Sequence, residues 1–292
     1  MTPQPRWRPD GPPPEGWSRT SWTAHLPTIT LVAAVGLAAV VRPAAPFVLL
    51  GLLFAYPIAR RRGLPSSSLA AVLPAAAILA WRSLGQPAAA AGGLDCANLL
   101  APPAVWRLLE ALVGLMVLLA LVIDRRASLA ELGFHRGSRR VRALAIIGLV
   151  VVAPVAIYAG ALVGEGTLAG MSFFGAYRLD FSQPLALLPA LVFAGSNALA
   201  EELAYRGAMR TWLGPALGVT GANLAQAIVF GLAHTGEGFT GIEAVIPTMV
   251  AMVVVGFIGG VIARRTGSLT LLLAIHAAAD IPIYFYWACR LG

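Results

Sequence analysis

The chain has 292 residues, of which 58% are hydrophobic and 12% are charged, and its mean hydropathy is +0.78. Soluble domains carry roughly 25% charged residues, so this composition excludes a soluble globular enzyme; it also excludes a disordered chain, which needs low hydrophobicity and high charge. The formal net charge of +8 comes from 21 basic residues, all Arg, and their position between apolar runs favours membrane topology over nucleic-acid binding. The sequence therefore predicts an all-α fold, a polytopic membrane helical bundle with about 8–9 transmembrane helices.

Three regions follow one another along the chain. Residues 1–24 are polar and rich in Pro, which predicts a cytoplasmic tail without a cleavable signal peptide. Residues 25–165 are expected to form a variable transmembrane scaffold, and residues 185–288 the transmembrane core that carries the chemistry. The first two apolar runs are short and separated by Arg42-Pro43, so they could form a tight hairpin or a partly interfacial pair. The predicted spans cover 26–41, 44–59, 68–84, 104–123, 141–163, 185–205, 217–235, 242–263 and 268–288.

The arginines predict the orientation of the chain. With the N-terminus inside, sixteen of them fall in inner segments, and the outer side keeps only Arg42, Arg82, Arg107, Arg178 and Arg290. This bias agrees with the positive-inside rule. Because the arginine-only basic set, with many Ala, Gly and Pro, is typical of a GC-rich bacterial genome, we expect a multi-pass protein of the bacterial plasma (inner) membrane with a cytoplasmic N-terminus.

The two cysteines, Cys96 and Cys289, then fall on the same outer side, where they could pair. They are too few for a disulfide framework or for a zinc site made of Cys residues.

Ionisable residues within the predicted spans are concentrated in the last third of the chain. Such groups are costly in a bilayer and mark functional sites by default. They are Glu201, Glu202 and Arg206 in one span, His234 in the next, and His276 and Asp280 in the last.

The first of these groups predicts an internal ion pair beside a free carboxylate. On a helix, Glu202 and Arg206 are neighbours at i and i+4, in the favourable order. Glu201 points about 100° away, so the same Arg does not readily neutralise it, and an unpaired carboxylate in such a place suits a general acid or base. The alternative is that both glutamates lie solvated at the inner membrane edge.

The two histidines extend this pattern. His234 lies one turn after Phe230, and His276 and Asp280 share one helix face at i and i+4. Asp280 could orient the imidazole, or both residues could bind a metal such as zinc. A rise of 1.5 Å per residue places Glu201, His234, His276 and Asp280 about 12–22 Å from the inner helix ends, so the four can share one layer of the bilayer.

The three motifs together resemble the CAAX protease and bacteriocin-processing (CPBP, Abi-type) family over about residues 185–285. They are Glu201-Glu202-x-x-x-Arg206, Phe230-x-x-x-His234 and His276-x-x-x-Asp280, in that order on successive apolar segments. This family comprises intramembrane endopeptidases, among them the CAAX prenyl endopeptidase and lysostaphin-resistance-like proteins. The resemblance implies hydrolysis of a peptide bond in a membrane-associated peptide or protein.

The resemblance also implies roles for the residues. Glu201 would be the general base that activates water, with His234 sharing or relaying the proton, and His276 and Asp280 would stabilise the developing oxyanion. Glu202 and Arg206 would hold the helix of Glu201 in place. The last motif of the family usually ends in Asn, so Asp280 is a departure, because an ionised Asp cannot donate an amide hydrogen bond.

Other interpretations stay open at this stage. His234, His276 and one carboxylate could hold a single zinc ion, or Glu201 could work without metal; the divergence of adjacent Glu201 and Glu202 around a helix slightly favours the metal-free mechanism. The same residues could belong to a non-catalytic immunity or scaffold protein, or to a proton-coupled transporter. The expected partners are the lipid bilayer and a membrane-bound peptide or protein substrate, without nucleic acid.

Overall fold

The computed structural model describes residues 25–85, 97–162, 184–235 and 242–288, and no strand occurs among them. The all-α fold is thus confirmed. The tail at residues 1–24 and the pairing of Cys96 with Cys289 are predictions that lie outside the described residues. The helices are α1 (Leu26–Val40), α2 (Ala45–Arg61), α3 (Ser67–Ser83), α4 (Pro102–Asp124), α5 (Arg139–Leu162), α6 (Leu187–Glu201), α7 (Arg210–Ala233), α8 (Ile242–Thr266) and α9 (Thr270–Ala288), with a π-helix (Glu202–Met209) between α6 and α7.

Long apolar helices agree with a membrane bundle. Within the described ranges, four helical stretches are long and apolar enough to cross a bilayer, and three further apolar helices are shorter; the number of spans therefore stays a prediction. The four stretches are Arg42–Arg61, Pro102–Asp124, Leu187–Ala233 and Val245–Thr266. Large apolar side chains also face outward, such as Phe47 at 75% and Met116 at 61% exposure. An apolar outer surface of this kind is what a lipid environment requires.

The first two helices are joined directly. A three-residue 3-10 turn, Arg42–Ala44, connects α1 to α2. Pro43 fits this place because its ring fixes φ and because the start of a helical turn needs no backbone donor. Both expected arrangements of this pair, the tight hairpin and the partly interfacial pair, stay predictions.

Helix α3 forms the centre of the bundle. Its residues from Ala70 to Ala80 are all buried, and most of them are Ala. Because small side chains let neighbouring helices approach closely, this narrow helix packs against α1, α2, α4, α7 and the π-helix. A second apolar cluster, which includes Phe193 and Tyr284, joins α6 to α9 and to the start of α4.

Helix α7 contains a break that the sequence analysis placed too early. The predicted spans 185–205 and 217–235 put the break between the helix of Glu201 and the next helix before residue 217. The helix of Glu201 instead continues beyond Pro215 to Gly218, whose φ of 71° and ψ of 169° are not helical. Only Gly adopts this conformation readily, so the chain changes direction there before the stretch that leads to His234.

The arginine-rich segments meet at one end of the bundle. Arg60 at the end of α2 donates to Asp124 at the end of α4, with Nε 3.0 Å from Oδ2. In the α4–α5 connection, Arg125 lies over the ring of Trp212, 5.1 Å from its centroid, and His135 Nε2 lies 2.7 Å from the carbonyl oxygen of Gly267 between α8 and α9. These contacts place three arginine-bearing helix ends on a common face.

Candidate active site

All six residues singled out in the sequence lie in the part of the chain from α6 to α9. Glu201 ends α6, Glu202 and Arg206 lie in the π-helix, His234 directly follows α7, and His276 and Asp280 lie on α9. They are buried at 8% relative exposure or less, except for the side chain of His276 at 16%. The prediction of a solvated pair of glutamates at the membrane edge is therefore wrong.

Glu202 is shared between a guanidinium and an imidazole. Its Oε1 lies 3.1 Å from Arg206 Nη1, as the i,i+4 spacing predicts, and 2.8 Å from Nδ1 of His276. The guanidinium carbon of Arg206 lies 3.9 Å from the ring centroid of Phe230, which adds a cation–π contact. Glu202 therefore fixes His276, a role that the sequence analysis had considered for Asp280.

Glu201 has a partner that the sequence analysis missed. Its Oε1 lies 2.5 Å from Nη2 of Arg82, at the end of α3, and both side chains are buried. The expectation of an unpaired carboxylate is therefore wrong. The two paired residues are 119 positions apart along the chain, so their pairing depends on how the helices pack. The other oxygen of Glu201, Oε2, accepts no hydrogen bond within the described structure and lies 3.5 Å from Nε2 of His276.

The two adjacent glutamates converge on His276. Glu202 contacts Nδ1 of the ring and Glu201 approaches Nε2, whereas an α-helix would direct them about 100° apart. The helix changes from α to π at this point, and the wider i→i+5 turn of a π-helix alters the relative direction of successive side chains. The divergence that favoured a metal-free mechanism is thus absent.

Asp280 meets both an amide and the imidazole of His276 through one oxygen. Its Oδ2 accepts a hydrogen bond from Nδ2 of Asn197 at 2.8 Å and lies 3.5 Å from Nε2 of His276. Since both nitrogens of His276 face carboxylate oxygens, the ring can donate on both sides only as an imidazolium. Asn197 had not been identified, and it supplies an amide next to Asp280.

His234 reaches this group through Phe230. Its Nδ1 lies 2.7 Å from the carbonyl oxygen of Phe230; because a carbonyl only accepts, Nδ1 carries the hydrogen and Nε2 is left for other contacts. The Phe230 ring lies 4.6 Å from the ring of His234 and 6.4 Å from that of His276. The spacing Phe-x-x-x-His thus places an aromatic ring between the two histidines.

Helices α3 and α4 contribute a further buried ionic group. Nε and Nη2 of Arg82 donate to Glu110 Oε1 at 3.0 and 2.7 Å, and Nη1 of Arg107 donates to Oε2 at 2.8 Å. The positive-inside rule assigns both arginines to the outer side, which stays a prediction; both side chains are buried within the bundle. Trp81 and Trp106, which directly precede them, lie with ring centroids 4.7 Å apart.

Asn223 and Gln226, which precede His234 on α7, bind the neighbouring helix. Their amide nitrogens donate to the carbonyl oxygens of Phe257 and Gly256 on α8. A groove of about 910 Å³ between α1 and α7 is apolar and contains none of the six site residues. Neither feature belongs to the ionic group.

The described side chains form no ready-made metal site. Among the described residues, no group of three or more His, Cys, Asp and Glu side chains is arranged to hold an ion. Nη2 of Arg82 lies 2.5 Å from Oε1 of Glu201, so a guanidinium compensates the charge of this carboxylate on that side.

Comparison with known proteins agrees with the motifs. Residues 183–282 match the family described as Rce1-like, type II CAAX prenyl endopeptidase Rce1-like, which confirms the predicted resemblance over the segment that carries all three motifs. No curated protein and no solved structure matches the chain. Arg82, Arg107 and Glu110 lie before the matched segment.

Proposed function

We propose that this membrane protein, whose residues 183–282 are similar to an endopeptidase family, hydrolyses a peptide bond in a membrane-associated peptide or protein. The observation that carries the proposal is the asymmetry of Glu201. One of its oxygens is bound by Arg82, while Oε2 accepts no hydrogen bond among the described residues and faces His276. A buried carboxylate with one free oxygen next to an imidazole is suited to activating a water molecule.

The reaction would begin with a water molecule between Glu201 Oε2 and the substrate carbonyl. Glu201 takes one proton from the water as the water oxygen attacks the carbonyl carbon, and a tetrahedral intermediate forms. The bond from that carbon to the amide nitrogen then breaks, and the departing nitrogen receives the proton that Glu201 had accepted. His234, whose Nδ1 is held by the Phe230 carbonyl oxygen, would relay that proton through Nε2.

His276 would stabilise the negative charge that develops on the carbonyl oxygen. Its Nε2 lies between Glu201 and Asp280, 3.5 Å from each, and an imidazolium there donates a strong hydrogen bond in a low-dielectric site. Glu202 holds the opposite nitrogen at 2.8 Å, so the ring direction is set before substrate binds. Asp280 balances the charge of the imidazolium and need not donate itself.

The proposal places the protein in the bacterial inner membrane, with the arginine-bearing helix ends in the cytoplasm. Apolar helices then enclose the carboxylates and histidines of the site, which are Glu110, Glu201, Glu202, Asp280, His234 and His276. The peptide bond of the substrate must therefore reach the site within or at the edge of the bilayer. A substrate that is itself membrane-bound meets this requirement.

The test compares protein termini in membranes of cells with the wild-type protein and with Glu201→Gln. We expect the variant to accumulate to the wild-type level while specific cleaved termini disappear. A synthetic peptide spanning one of these sites, with the purified protein in liposomes, should then be cleaved roughly 10²–10⁴-fold more slowly by the variant, since a positioned general base contributes about that factor.

Glu131→Gln provides the matched control. Glu131 is an exposed glutamate in the α4–α5 connection, so the same chemical change there should leave cleavage unaltered. Equal cleavage by wild type and Glu201→Gln would remove Glu201 from the reaction, and an identical set of termini in both membranes would contradict the endopeptidase function.

A further inference from the structure

We propose that Arg82, held in place by Glu110 and Arg107, is the residue that positions Glu201 for its reaction, so that the site is completed by two helices outside the matched segment. The inference rests on the proposed function, because positioning has a meaning only if Glu201 reacts. Arg82 and Glu110 lie in α3 and α4, whereas the family match begins at residue 183.

The contacts of Arg82 are directional. Its Nη2 lies 2.5 Å from Glu201 Oε1, 3.2 Å from Asn197 Oδ1 and 2.7 Å from Glu110 Oε1. A planar guanidinium has its donors in a fixed fork, so the position of Glu110 decides where the donor for Glu201 points. Arg82 thereby binds Oε1 and leaves Oε2 of Glu201 directed to His276.

Glu110 is fixed in turn from both sides. It is 0% exposed, and its two oxygens bind different arginines, Oε1 binding Arg82 and Oε2 binding Arg107. The guanidinium of Arg107 lies 5.5 Å from the ring centroid of Phe193 on α6. The charges therefore alternate in space from one side chain to the next. The series runs from α4 through α3 to the end of α6, in the order Arg107, Glu110, Arg82, Glu201.

The guanidinium of Arg82 also connects Glu201 to Asp280 on α9. Asn197 accepts from Arg82 through Oδ1 and donates to Asp280 through Nδ2. A displacement of Arg82 would therefore change both carboxylates that flank Nε2 of His276. Such contacts are expected of a positioning residue rather than of one that only closes a helix–helix interface.

A structural ion pair and a positioning residue give different results in a double substitution. Arg82→Gln alone leaves one negative charge in excess among Arg107, Glu110, Arg82 and Glu201, whereas Arg82→Gln/Glu110→Gln leaves Arg107 and Glu201 to balance each other; an uncompensated buried charge is costly. If Arg82 only compensates buried charge, the double variant should recover activity together with stability relative to Arg82→Gln. If Arg82 positions Glu201, the double variant should be more stable than Arg82→Gln but still inactive.

The experiment measures kcat and KM for the liposome-reconstituted full chain with the peptide defined above. For Arg82→Gln and for the double variant, we expect kcat to fall about 10²-fold, the cost of a small misplacement of reacting groups, with little change in KM. Arg82→Lys, which keeps the charge without the fork, should recover part of kcat. Arg60→Gln, which removes the exposed partner of Asp124, is the matched control and should behave as wild type.

A second readout does not depend on cleavage. The infrared difference spectrum between wild type and Glu201→Gln isolates the carboxylate stretch of Glu201, and Arg82→Gln should shift this band, whereas Arg60→Gln should not. An unshifted band, or a double variant with wild-type kcat, overturns the inference. A wild-type protein that cleaves no substrate, combined with a shifted band, would instead contradict the proposed function alone.

Discussion

At the scale of single residues, several charged side chains of the candidate site contact one another through the same atoms. Glu202 Oε1 alone receives both Arg206 and His276, and Nε2 of His276 faces two further carboxylates. Such a group tolerates the loss of one member only if the remaining charges can still compensate each other. The consequences of a substitution therefore depend on which partner is left behind.

Glu202→Gln should destabilise the protein more than Arg206→Met. Without Glu202, the permanently charged Arg206 remains at 1% exposure with the face of Phe230 as its main contact, and an uncompensated buried charge costs roughly 3–5 kcal/mol. Without Arg206, Glu202 keeps its contact with His276, and Met can pack on Phe230. Thermal unfolding in detergent measures the difference; the reverse order would show that Arg206 is the indispensable member.

Asp280→Asn should retain activity. An Asn at this position can still accept the hydrogen bond from Asn197 and offers the amide that the resembled family usually carries there. Elemental analysis of the wild type and of this variant should show no stoichiometric metal, and a chelator should leave activity unchanged. About one zinc ion per chain, lost together with activity in the variant, would show that a carboxylate ligand is required.

How much of the site follows from sequence can be seen from two residues. The pairing of Glu202 with Arg206 is local, four residues along one helix, and it was predictable from spacing alone. The pairing of Glu201 with Arg82 was not predictable, since it depends on how α3 packs against α6. An Arg directly before the last residue of an apolar helix, as Arg82 is in α3, also resembles a flanking residue in a loop, and only the structure shows that it points inward.

At the scale of helices, the sequence predicted where helices occur better than it predicted their internal geometry. Within the described ranges, apolar runs predicted each of the nine α-helices to within a few residues at most ends. They gave no sign of the π-helix at Glu202–Met209, because no Pro lies within it or marks either of its ends. The position of the break in α7 was also missed, since the helix continues through Pro215 and Gly218 carries the non-helical dihedral angles.

The close approach of α7 and α8 depends on Gly260. A methyl group added there would overlap the side-chain oxygen of Asn223 and lie 3.0 Å from Nε2 of Gln226. Because Gln226 donates to Asn223 and both bind α8, neither side chain can move without losing a hydrogen bond.

Gly260→Ala should therefore lower the free energy of unfolding by about 1–3 kcal/mol, as overpacking does. Gly51→Ala is the matched control: Gly51 lies within α2 and has no atom within 4 Å of the added carbon, so it should be neutral or slightly stabilising. Denaturation of both variants in the same detergent gives the comparison. A loss of equal size in both would assign the effect to backbone propensity rather than to packing.

At the scale of the whole molecule, the matched segment is not an independent unit. The ionic group draws on α3 and α4, and α3 also forms the centre of the apolar core. The division into a variable scaffold and a catalytic core stays a prediction, and the contacts of Arg82 and Glu110 show where the two parts depend on each other. A fragment limited to residues 183–282 would lack the partner of Glu201.

The orientation of the bundle can be tested at the two ends of α4. In a background with Cys96 and Cys289 changed to Ser, we expect Leu100→Cys to react with a membrane-impermeant thiol reagent added from outside, and Ala130→Cys to react only after the membrane is opened. Leu100 precedes α4, whereas Ala130 lies in the arginine-bearing connection after it, and both are exposed. The opposite labelling pattern would invert the proposed topology.

The neighbouring indoles of Trp81 and Trp106 give this architecture an optical property. Because the two rings lie 4.7 Å apart at a fixed tilt of 37°, their electronic transitions are coupled, and a chiral pair of coupled chromophores contributes a paired band of opposite signs to circular dichroism. Each of these tryptophans directly precedes an arginine that binds Glu110. The shape of the band therefore reports the relative rotation of α3 and α4. The protein thus carries its own chromophore pair beside the residues that hold Glu201, and the state of that region can be followed by light without a label or a substrate.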